Sequence, residues 1–254
     1  MQTSADIAAE AWAAAIAMFV AAQPDGYHRA GARGTYEMVS GAPTPLLSGV
    51  FSVAPRADAE EVAQFAASER LRGVPWSIQV RGERFDPRIA DIAAAHDRTQ
   101  RLSLPLMTKE ITEEDGKAAE AGQVRVRPVT GEERERYQAT MAAGFEGPPE
   151  VFERFSLPAL MDHPGMRAYV AEVDGEPVGT SFGVVAGDLV GVFNIAVPPS
   201  HRRRGYGRAV TAAVLGDAYA AGARTAFLHA SELGAPLYAD MGFRLVERWT
   251  VFSS

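Results

Sequence analysis

The sequence of 254 residues contains no cysteine, which excludes disulfide bonds and thiolate chemistry. Its five histidines are scattered, and because no two of them stand at the spacing of metal ligands, we expect no metal site. Basic residues are fewer than acidic ones, 25 against 32, so the net charge is -7. That balance argues against nucleic acid as a partner, and any cluster of arginines must serve a local purpose.

Long hydrophobic runs are scarce, and the most apolar segment is at the N terminus, residues 3–23. It carries Asp6 and Glu10 where a secretory signal would carry Lys or Arg, and its apolar stretch reads as too short to cross a bilayer. We therefore expect an ordinary first helix with Ser4 or Asp6 as N-cap, a cytoplasmic protein and no membrane partner. The predicted inward positions have helical spacing: Ile7, Ala11, Ala14 and Met18.

An internal repeat relates residues 48–80 to residues 190–230. Each copy has Gly-Val-Phe, a polar residue and a β-branched residue, followed by proline, a helical pattern and a second apolar run. This order predicts a β-α-β unit with parallel strands in each half of the chain.

The segment 112–123 is rich in alanine, glycine and charge and shows no apolar periodicity, which is typical of a linker. We therefore predict an N-terminal domain over 1–111, a linker over 112–123 and a C-terminal domain over 124–254. Strands alternate with helical patterns in both domains, so the fold class is α/β, an α+β arrangement on a mixed sheet. In the second domain a hairpin is expected to turn at Asp174-Gly175.

A turn rich in arginine and glycine stands between a predicted strand and a predicted helix. The strand ends at residues 195–197, Pro198 and Pro199 prevent its continuation, and the helix begins near Gly205. Glycine permits a tight backbone turn, and the free amides and dipole of a helix start favour an anion. Four arginines add positive charge there: Arg202, Arg203, Arg204 and Arg208. We predict a pyrophosphate site.

The sequence around this turn distinguishes phosphate binding from other interpretations. The chain has no G-x-G-x-x-G and no Gly-Lys-Ser/Thr, which disfavours a Rossmann site and a P-loop. A basic run alone is as easily a solvated surface. The strand before it and the helix after it favour phosphate binding. That helix would present one apolar face: Tyr206, Val210, Ala213 and Val214.

Two stretches, "IAVPPSHRRRGYGRAV" and "FLHASELGAPLYADMGF", resemble the acetyl-CoA-binding core of the GCN5-related N-acetyltransferases, the GNAT superfamily. The family signature [Q/R]-x-x-G-x-[G/A] is matched by Arg202 to Gly207, and the later Tyr-x-x-x-Gly-Phe by Tyr238 to Phe243. The resemblance covers residues 124–253. With the repeat, it implies a tandem GNAT arrangement whose N-terminal half is degenerate.

The resemblance implies an enzyme that transfers the acetyl group of acetyl-CoA to a primary amine, with Tyr238 as the acid that protonates the departing thiolate. The cofactor-binding residues it implies are Ile195, Ala196 and Val197 for the pantetheine arm, Arg202, Arg203, Arg204, Gly205, Tyr206, Gly207 and Arg208 for the pyrophosphate, and Ser231 where many members have Asn. Two rivals stay open, a CoA-binding regulator without activity and an interaction scaffold. The sequence also leaves open the acceptor and the choice between monomer and homodimer.

The general base is not evident from the sequence. Many members have a carboxylate on the strand where this chain has Asn194. Glu146, Asp162 and His163 lie in the segment expected to roof the acceptor pocket, but each is as readily a surface residue. His229 is more readily a core histidine than a base, Tyr238 could be an aromatic of the core, and a water chain is a further alternative.

The first half lacks the glycines of the turn in its matching segment, residues 54–65. Asp58, Glu60 and Glu61 stand at the predicted helix start, where carboxylates stabilise the helix and repel phosphate. We therefore predict one CoA site per chain, in the C-terminal half. Trp76 and the turn at 41–47 are expected to wall the acceptor pocket.

Overall fold

A computed structural model describes residues 2–117 and 124–254. The chain forms two compact units. The N-terminal unit extends to Met107 and includes His229–Ala235 and Leu245–Ser254, and the C-terminal unit comprises Thr108–Leu228 and Pro236–Arg244. Two segments from the end of the chain thus lie in the N-terminal unit, which the predicted boundary did not anticipate. Within the expected linker, Glu113–Lys117 is helical, and residues 118–123 lie outside the described residues.

Both units combine helices with a mixed sheet, and the predicted α/β fold class is confirmed. The N-terminal unit contains α1 (Ser4–Ala21), β1 (Tyr27–Ala30), β2 (Thr35–Val39), β3 (Gly49–Ser52), α2 (Ala59–Ala66), β4 (Ser77–Arg81), α3 (Arg88–Ala95), β5 (Gln100–Glu110) and most of β11 (Arg244–Ser253). Its strand order is β1-β2-β3-β4-β11-β5. β3 and β4 are parallel and joined through α2, which is the β-α-β unit expected from the repeat.

Helix α1 differs from its prediction in its cap and in its buried face. Thr3 is the N-cap, with its hydroxyl accepting from the Asp6 backbone N–H, because the residue before the first helical turn is the one that can reach that amide. Ile7 and Ala14, predicted to point inward, are exposed, and Trp12 is buried instead. The Trp12 ring lies 5.2 Å from Phe51 and 5.1 Å from Trp249.

The length of α1 also corrects an expectation. It has 18 residues with a mean hydropathy of 1.4, so it is long and apolar enough to cross a membrane, and half of it is buried inside the protein. Trp76 is a second correction. It is buried in the core that α2 and α3 form over β3 and β4, rather than placed to line a pocket.

The C-terminal unit contains α4 (Glu113–Lys117), β6 (Arg125–Val129), α5 (Arg134–Phe145), α6 (Pro158–Met161), β7 (Met166–Val173), β8 (Glu176–Ala186), β9 (Leu189–Ala196), α7 (Tyr206–Ala220), β10 (Thr225–His229) and most of α8 (Ala235–Asp240). Its strand order is β10-β9-β8-β7-β6. Between β7 and β8 the chain turns at Asp174 and Gly175, both with positive φ, as the hairpin prediction requires.

The segment between α5 and β7 forms two short helical pieces. Residues Pro149–Phe155 form a 3-10 helix, and α6 begins only at Pro158. Proline has no amide hydrogen and excludes the preceding residue from helical geometry, so Pro158 can start a helix but cannot continue one.

Candidate functional site

The strands β9 and β10 are parallel, as predicted, but they pair over only part of their length. Their ladder joins Leu189 to Thr225, Val190 to Ala226 and Gly191 to Phe227. Beyond Gly191, β9 continues to Ala196 with its other edge held by β8. The edge of β9 that faces away from β8 is therefore without a strand partner over its last residues, among the described parts of the chain. Backbone N–H and C=O groups on such an edge are available to a ligand.

A bulge lies in the same part of β9. Thr180 faces Ala196 and Phe182 faces Phe193, so two residues of β9 stand against Ser181 alone. Asn194 has a φ of +50°, a conformation that asparagine tolerates better than most residues. The Thr180 hydroxyl donates to the Asn194 carbonyl oxygen at 3.0 Å and fixes this geometry. Nothing near Asn194 in the sequence indicates the bulge, because it depends on the pairing with β8.

Tyr137 of α5 supports the bulge from beneath. Its side chain is fully buried, and its hydroxyl donates to the Ser181 carbonyl oxygen at 3.4 Å. Burial raises the pKa of Tyr137 well above its usual range, although a hydrogen bond with the Asn194 side chain opposes the shift. This phenol therefore stays protonated and serves as a buried support for β9.

The arginine turn leads from β9 into α7. A short 3-10 helix spans Pro199–His201, and the backbone then turns through positive φ at Arg203 and at Gly205, where φ is +86°. Helix α7 begins at Tyr206, and no side chain caps its start. A Cβ atom added at Gly205 would meet nothing within 4 Å. The start of α7 is therefore uncapped and open beside Gly205, which suits the binding of an anion.

Arg202, one of the four arginines predicted to add positive charge at the turn, is held by the protein itself. Its Nε donates to the Val197 carbonyl oxygen at 3.1 Å. One terminal nitrogen donates to the Gly144 carbonyl oxygen at 2.9 Å and to Glu146 Oε1 at 2.7 Å. The guanidinium thus joins the end of α5 to the end of β9. Nothing in the sequence pairs these residues, because the contact depends on where α5 ends.

The other three arginines are arranged differently. Arg203 and Arg204 are exposed and Arg208 is half-buried. None of the three forms a salt bridge within residues 2–117 and 124–254. These guanidinium groups surround the uncapped start of α7 and are available to an anionic ligand.

Gly207 and Tyr206 have packing roles in the first turn of α7. A Cβ atom on Gly207 would come within 3.1 Å of Leu237 Cδ2, so this glycine lets α8 approach α7. Tyr206 is half-buried beside a small apolar cluster that includes Val210. Ile195 and Val197 are half-buried at the end of β9, and Ala196 is buried.

Tyr238 follows Leu237 in α8 and is buried. Its ring lies 5.8 Å from that of Phe243, and no described residue forms a hydrogen bond with its hydroxyl. Burial raises the pKa of Tyr238 to about 12. The group is therefore a neutral phenol at physiological pH, able to donate a hydrogen bond and not to act as a base.

Ser231 and His229 belong to the N-terminal unit, and each has a structural explanation. Ser231 Oγ accepts from the Gly234 backbone N–H at 3.1 Å. The His229 ring lies against two tryptophans, 5.7 Å from Trp12 and 5.0 Å from Trp249. Both ring nitrogens are buried without a hydrogen bond of good geometry, and burial lowers the pKa of His229 to about 3, despite a small opposing effect of the nearby Leu104 backbone. His229 is therefore a neutral core histidine and not a base, which is the interpretation that the sequence favoured.

The three candidate bases are each engaged. Asp162 Oδ1 accepts from the Gly131 backbone N–H at 2.9 Å, and His163 Nδ1 accepts from the Gly165 backbone N–H at 3.0 Å. Glu146 is paired with Arg202. These contacts stabilise turns and the end of α5, so each of the three candidates has a structural role.

The matching helix start in the N-terminal unit is filled by the protein itself. Asp58 is the N-cap of α2 and accepts from the Glu61 backbone N–H at 2.9 Å, as predicted. Arg33 pairs with Asp58 at 2.9 Å and with Glu60 at 3.2 Å. Glu61 turns away and accepts from the backbone N–H groups of Arg33 and Thr35. A phosphate would have to displace these carboxylates.

Residues 164–245 match the family model described as the acetyltransferase (GNAT) domain, and they contain the β9 edge, the arginine turn and Tyr238. This segment is therefore similar in sequence to GNAT acetyltransferase domains. The resemblance on which the sequence interpretation depended is thereby confirmed. Whether the N-terminal unit is a degenerate copy of the GNAT domain stays a prediction.

Solved structures extend the likeness in fold to the whole chain. A GCN5-related N-acetyltransferase from Kribbella flavida is 21% identical with a TM-score of 0.69, and the match covers 100% of this chain and 96% of that one. A functionally unknown conserved protein from Staphylococcus epidermidis is 12% identical with a TM-score of 0.67, covering 90% and 94% of the two chains. No curated protein matches the sequence. The family-model match over residues 164–245 supports the acyltransferase class. The two solved structures, at 21% and 12% identity, show the fold alone.

Proposed function

We propose that this protein is an N-acetyltransferase that moves the acetyl group of acetyl-CoA to a primary amine. The observation that carries the proposal is the open edge of β9 leading directly into the uncapped start of α7. A long ligand with a peptide-like arm and a pyrophosphate fits this sequence of an open strand edge and an anion site. We also propose that the protein acts in the cytoplasm.

The chain provides separate groups for the two parts of acetyl-CoA. The amides that begin α7, together with Arg203, Arg204 and Arg208, would hold the pyrophosphate. Backbone groups at the end of β9, in Ile195 to Val197, would pair with the amides of the pantetheine arm. The open space over Gly205 fits this role, since a ligand can approach the backbone there without meeting a side chain.

In the proposed reaction the amine nitrogen attacks the thioester carbonyl carbon, and the carbon–sulfur bond breaks. The nitrogen loses one proton and the sulfur gains one, so the products are an amide and free CoA. The bulge at Asn194 turns backbone groups out of the regular ladder, where an N–H could stabilise the charge that develops on the carbonyl oxygen.

Tyr238 would act on the leaving sulfur. Its pKa of about 12 is above that of an ordinary thiol, about 8.5, so full proton transfer to a thiolate is unfavourable. We therefore assign Tyr238 the donation of a hydrogen bond to the sulfur as charge develops there. Because Glu146, Asp162 and His163 are engaged, the amine would lose its proton to solvent.

Because Glu146, Asp162 and His163 each have a structural role, the alternative is a CoA-binding regulator without catalytic activity. One assay of CoA release, together with calorimetry of acetyl-CoA binding, separates the transferase from the regulator. Purified protein is mixed with acetyl-CoA and a panel of amines, and released CoA is detected with a thiol reagent, to which a chain without cysteine contributes no signal. Release that depends on the amine supports the transferase. Binding of acetyl-CoA without release supports the regulator, and no binding supports the interaction scaffold.

A further inference from the structure

Three phenylalanine rings form a row in residues 145–155 of the C-terminal unit. Phe145 and Phe152 are stacked, with centroids 5.6 Å apart and planes inclined by 11°, and Phe155 lies 6.2 Å beyond Phe152. Phe145 is 50% exposed, and it is the one phenylalanine, tyrosine or tryptophan in the described residues that is classed as exposed. About half of the Phe145 side chain is therefore accessible to a ligand.

The row begins beside the end of β9. A Cβ atom on Gly144 would lie 2.7 Å from Ala196 Cβ and 2.8 Å from the Val197 backbone nitrogen. The last turn of α5 thus rests directly on the strand end, and Arg202 fastens it there through the Gly144 carbonyl oxygen. Phe145 is the next residue. It directly follows the residue that contacts the backbone proposed to hold acetyl-CoA.

Hydrogen bonds from α5 hold the segment that carries the row. Gln138 Nε2 donates to the Pro149 carbonyl oxygen at 2.7 Å, and Ser156 Oγ donates to Gln138 Oε1 at 3.1 Å. Gly147 leaves room for Phe152, because a Cβ atom there would come within 2.9 Å of that ring. A flat ligand that stacks on Phe145 would therefore find a surface already formed, which reduces the entropic cost of binding.

The charges around the row favour a cationic ligand. Glu150 and Glu153 are exposed, Glu146 is paired with Arg202, and Arg154 is the single basic residue between positions 145 and 155. The exposed aromatic surface is one ring wide, far below the roughly 800 Å² that each side of a stable protein interface buries. The surface therefore fits a single flat group with a positive charge nearby.

We propose that Phe145, backed by Phe152, is the acceptor subsite and that it selects a small arylalkylamine. This inference rests on the proposed function, since it places the aromatic group of the acceptor beside the acetyl group to be transferred. The ring of the amine stacks on Phe145, and the carboxylates nearby favour its ammonium form on approach.

The test compares two amines, 2-phenylethylamine and n-butylamine, in the CoA-release assay, with kcat/KM expressed for the unprotonated amine because the two differ in basicity. We expect the aromatic amine to be preferred about tenfold, and Phe145→Ala to remove about that factor for it while changing n-butylamine less than about twofold. Leu102→Ala is the matched control, because Leu102 is also 50% exposed and lies on β5 in the other unit. It should leave both values unchanged.

Failure of this inference and failure of the proposed function are distinguishable. If amines are acetylated without preference, or if Phe145→Ala lowers both amines equally, the aryl subsite is wrong and the transferase stands. Faster acetylation of a peptide with N-terminal phenylalanine would overturn the choice of a small molecule. If no amine is acetylated, calorimetry with 2-phenylethylamine on CoA-loaded protein tests the subsite alone. Binding that is lost in Phe145→Ala supports the subsite, and the absence of binding overturns it.

Discussion

Arg202 and Glu146, 56 residues apart in the sequence, form an ion pair of 2.7 Å at the end of β9. The same guanidinium holds the carbonyl oxygens of Gly144 and Val197. The first residue of the arginine motif therefore joins the roof of the proposed acceptor site to the strand proposed to hold acetyl-CoA. Its positive charge is already matched by a carboxylate of the protein.

Arg202→Lys should reduce kcat/KM for the amine more than it weakens acetyl-CoA binding. An ammonium cannot hold two carbonyl oxygens and a carboxylate in the fixed geometry of the guanidinium. The loss of stability should be small, about 0.5–1 kcal/mol, because the pair is partly exposed. Arg84→Lys is the control, since Arg84 is exposed and forms no ion pair among the described residues. Steady-state kinetics and calorimetry measure both effects. An equal loss of amine turnover and acetyl-CoA affinity in Arg202→Lys would contradict the bridging role.

Gly205→Ala should weaken acetyl-CoA binding, because a left-handed residue other than glycine costs about 1–2 kcal/mol and shifts the turn. Gly222 is a matched control at the other end of α7, with a φ of +103° and open space where a Cβ would stand. Gly222→Ala should lose similar stability in thermal unfolding but keep its affinity. A folded Gly205→Ala or Gly205→Val protein with undiminished affinity by calorimetry would show that the turn does not bind acetyl-CoA.

Tyr238→Phe should lower kcat by about 100-fold or more, within the usual range for the loss of an acid or hydrogen-bond donor, and leave acetyl-CoA affinity unchanged. The ring contact with Phe243 is kept, so the melting temperature should barely change. Tyr169→Phe is the control. It removes the hydrogen bond of 2.9 Å to Asp217 and should cost about 1 kcal/mol of stability with no effect on kcat. Unchanged turnover in Tyr238→Phe would remove Tyr238 from the reaction.

His229 should make the protein less stable as the pH falls below about 6.5. Its pKa is lowered to about 3 in the folded protein, so the unfolded chain binds a proton that the folded one refuses. Between these two pH values, this residue should contribute a slope of at most about 1.4 kcal/mol per pH unit. Unfolding by urea from pH 7 to pH 4 measures it. His229→Phe should reduce the slope and exposed His28→Gln should not, and an equal slope in His229→Phe would contradict the burial argument.

The sequence predicted what depends on residues near one another in the chain. Two prolines followed by two glycines mark the end of β9 and the start of α7, and Asp174-Gly175 marks the hairpin, because each conformation is set by its own residues. Features that depend on distant partners were missed. The bulge at Asn194 requires β8, and the role of Arg202 requires the end of α5.

The final strand shows the same limit. Its pattern predicts a strand, and β11 is one, but nothing in residues 244–253 indicates that it pairs with β4 of the N-terminal unit. Trp249 faces Arg81 there, a pairing fixed by packing of the unit and not by local sequence. A single boundary at residue 112 therefore could not assign residues 245–254 to the N-terminal unit.

The central claim is that acetyl-CoA binds at the start of α7, while Asp58 and its neighbours close the matching helix start of α2. Calorimetric titration of the full chain with acetyl-CoA at concentrations well above Kd tests it most directly. The account predicts a stoichiometry near one, with binding lost or strongly weakened in Gly205→Val. No binding to the folded protein, or a second saturable site that survives Gly205→Val, would contradict it.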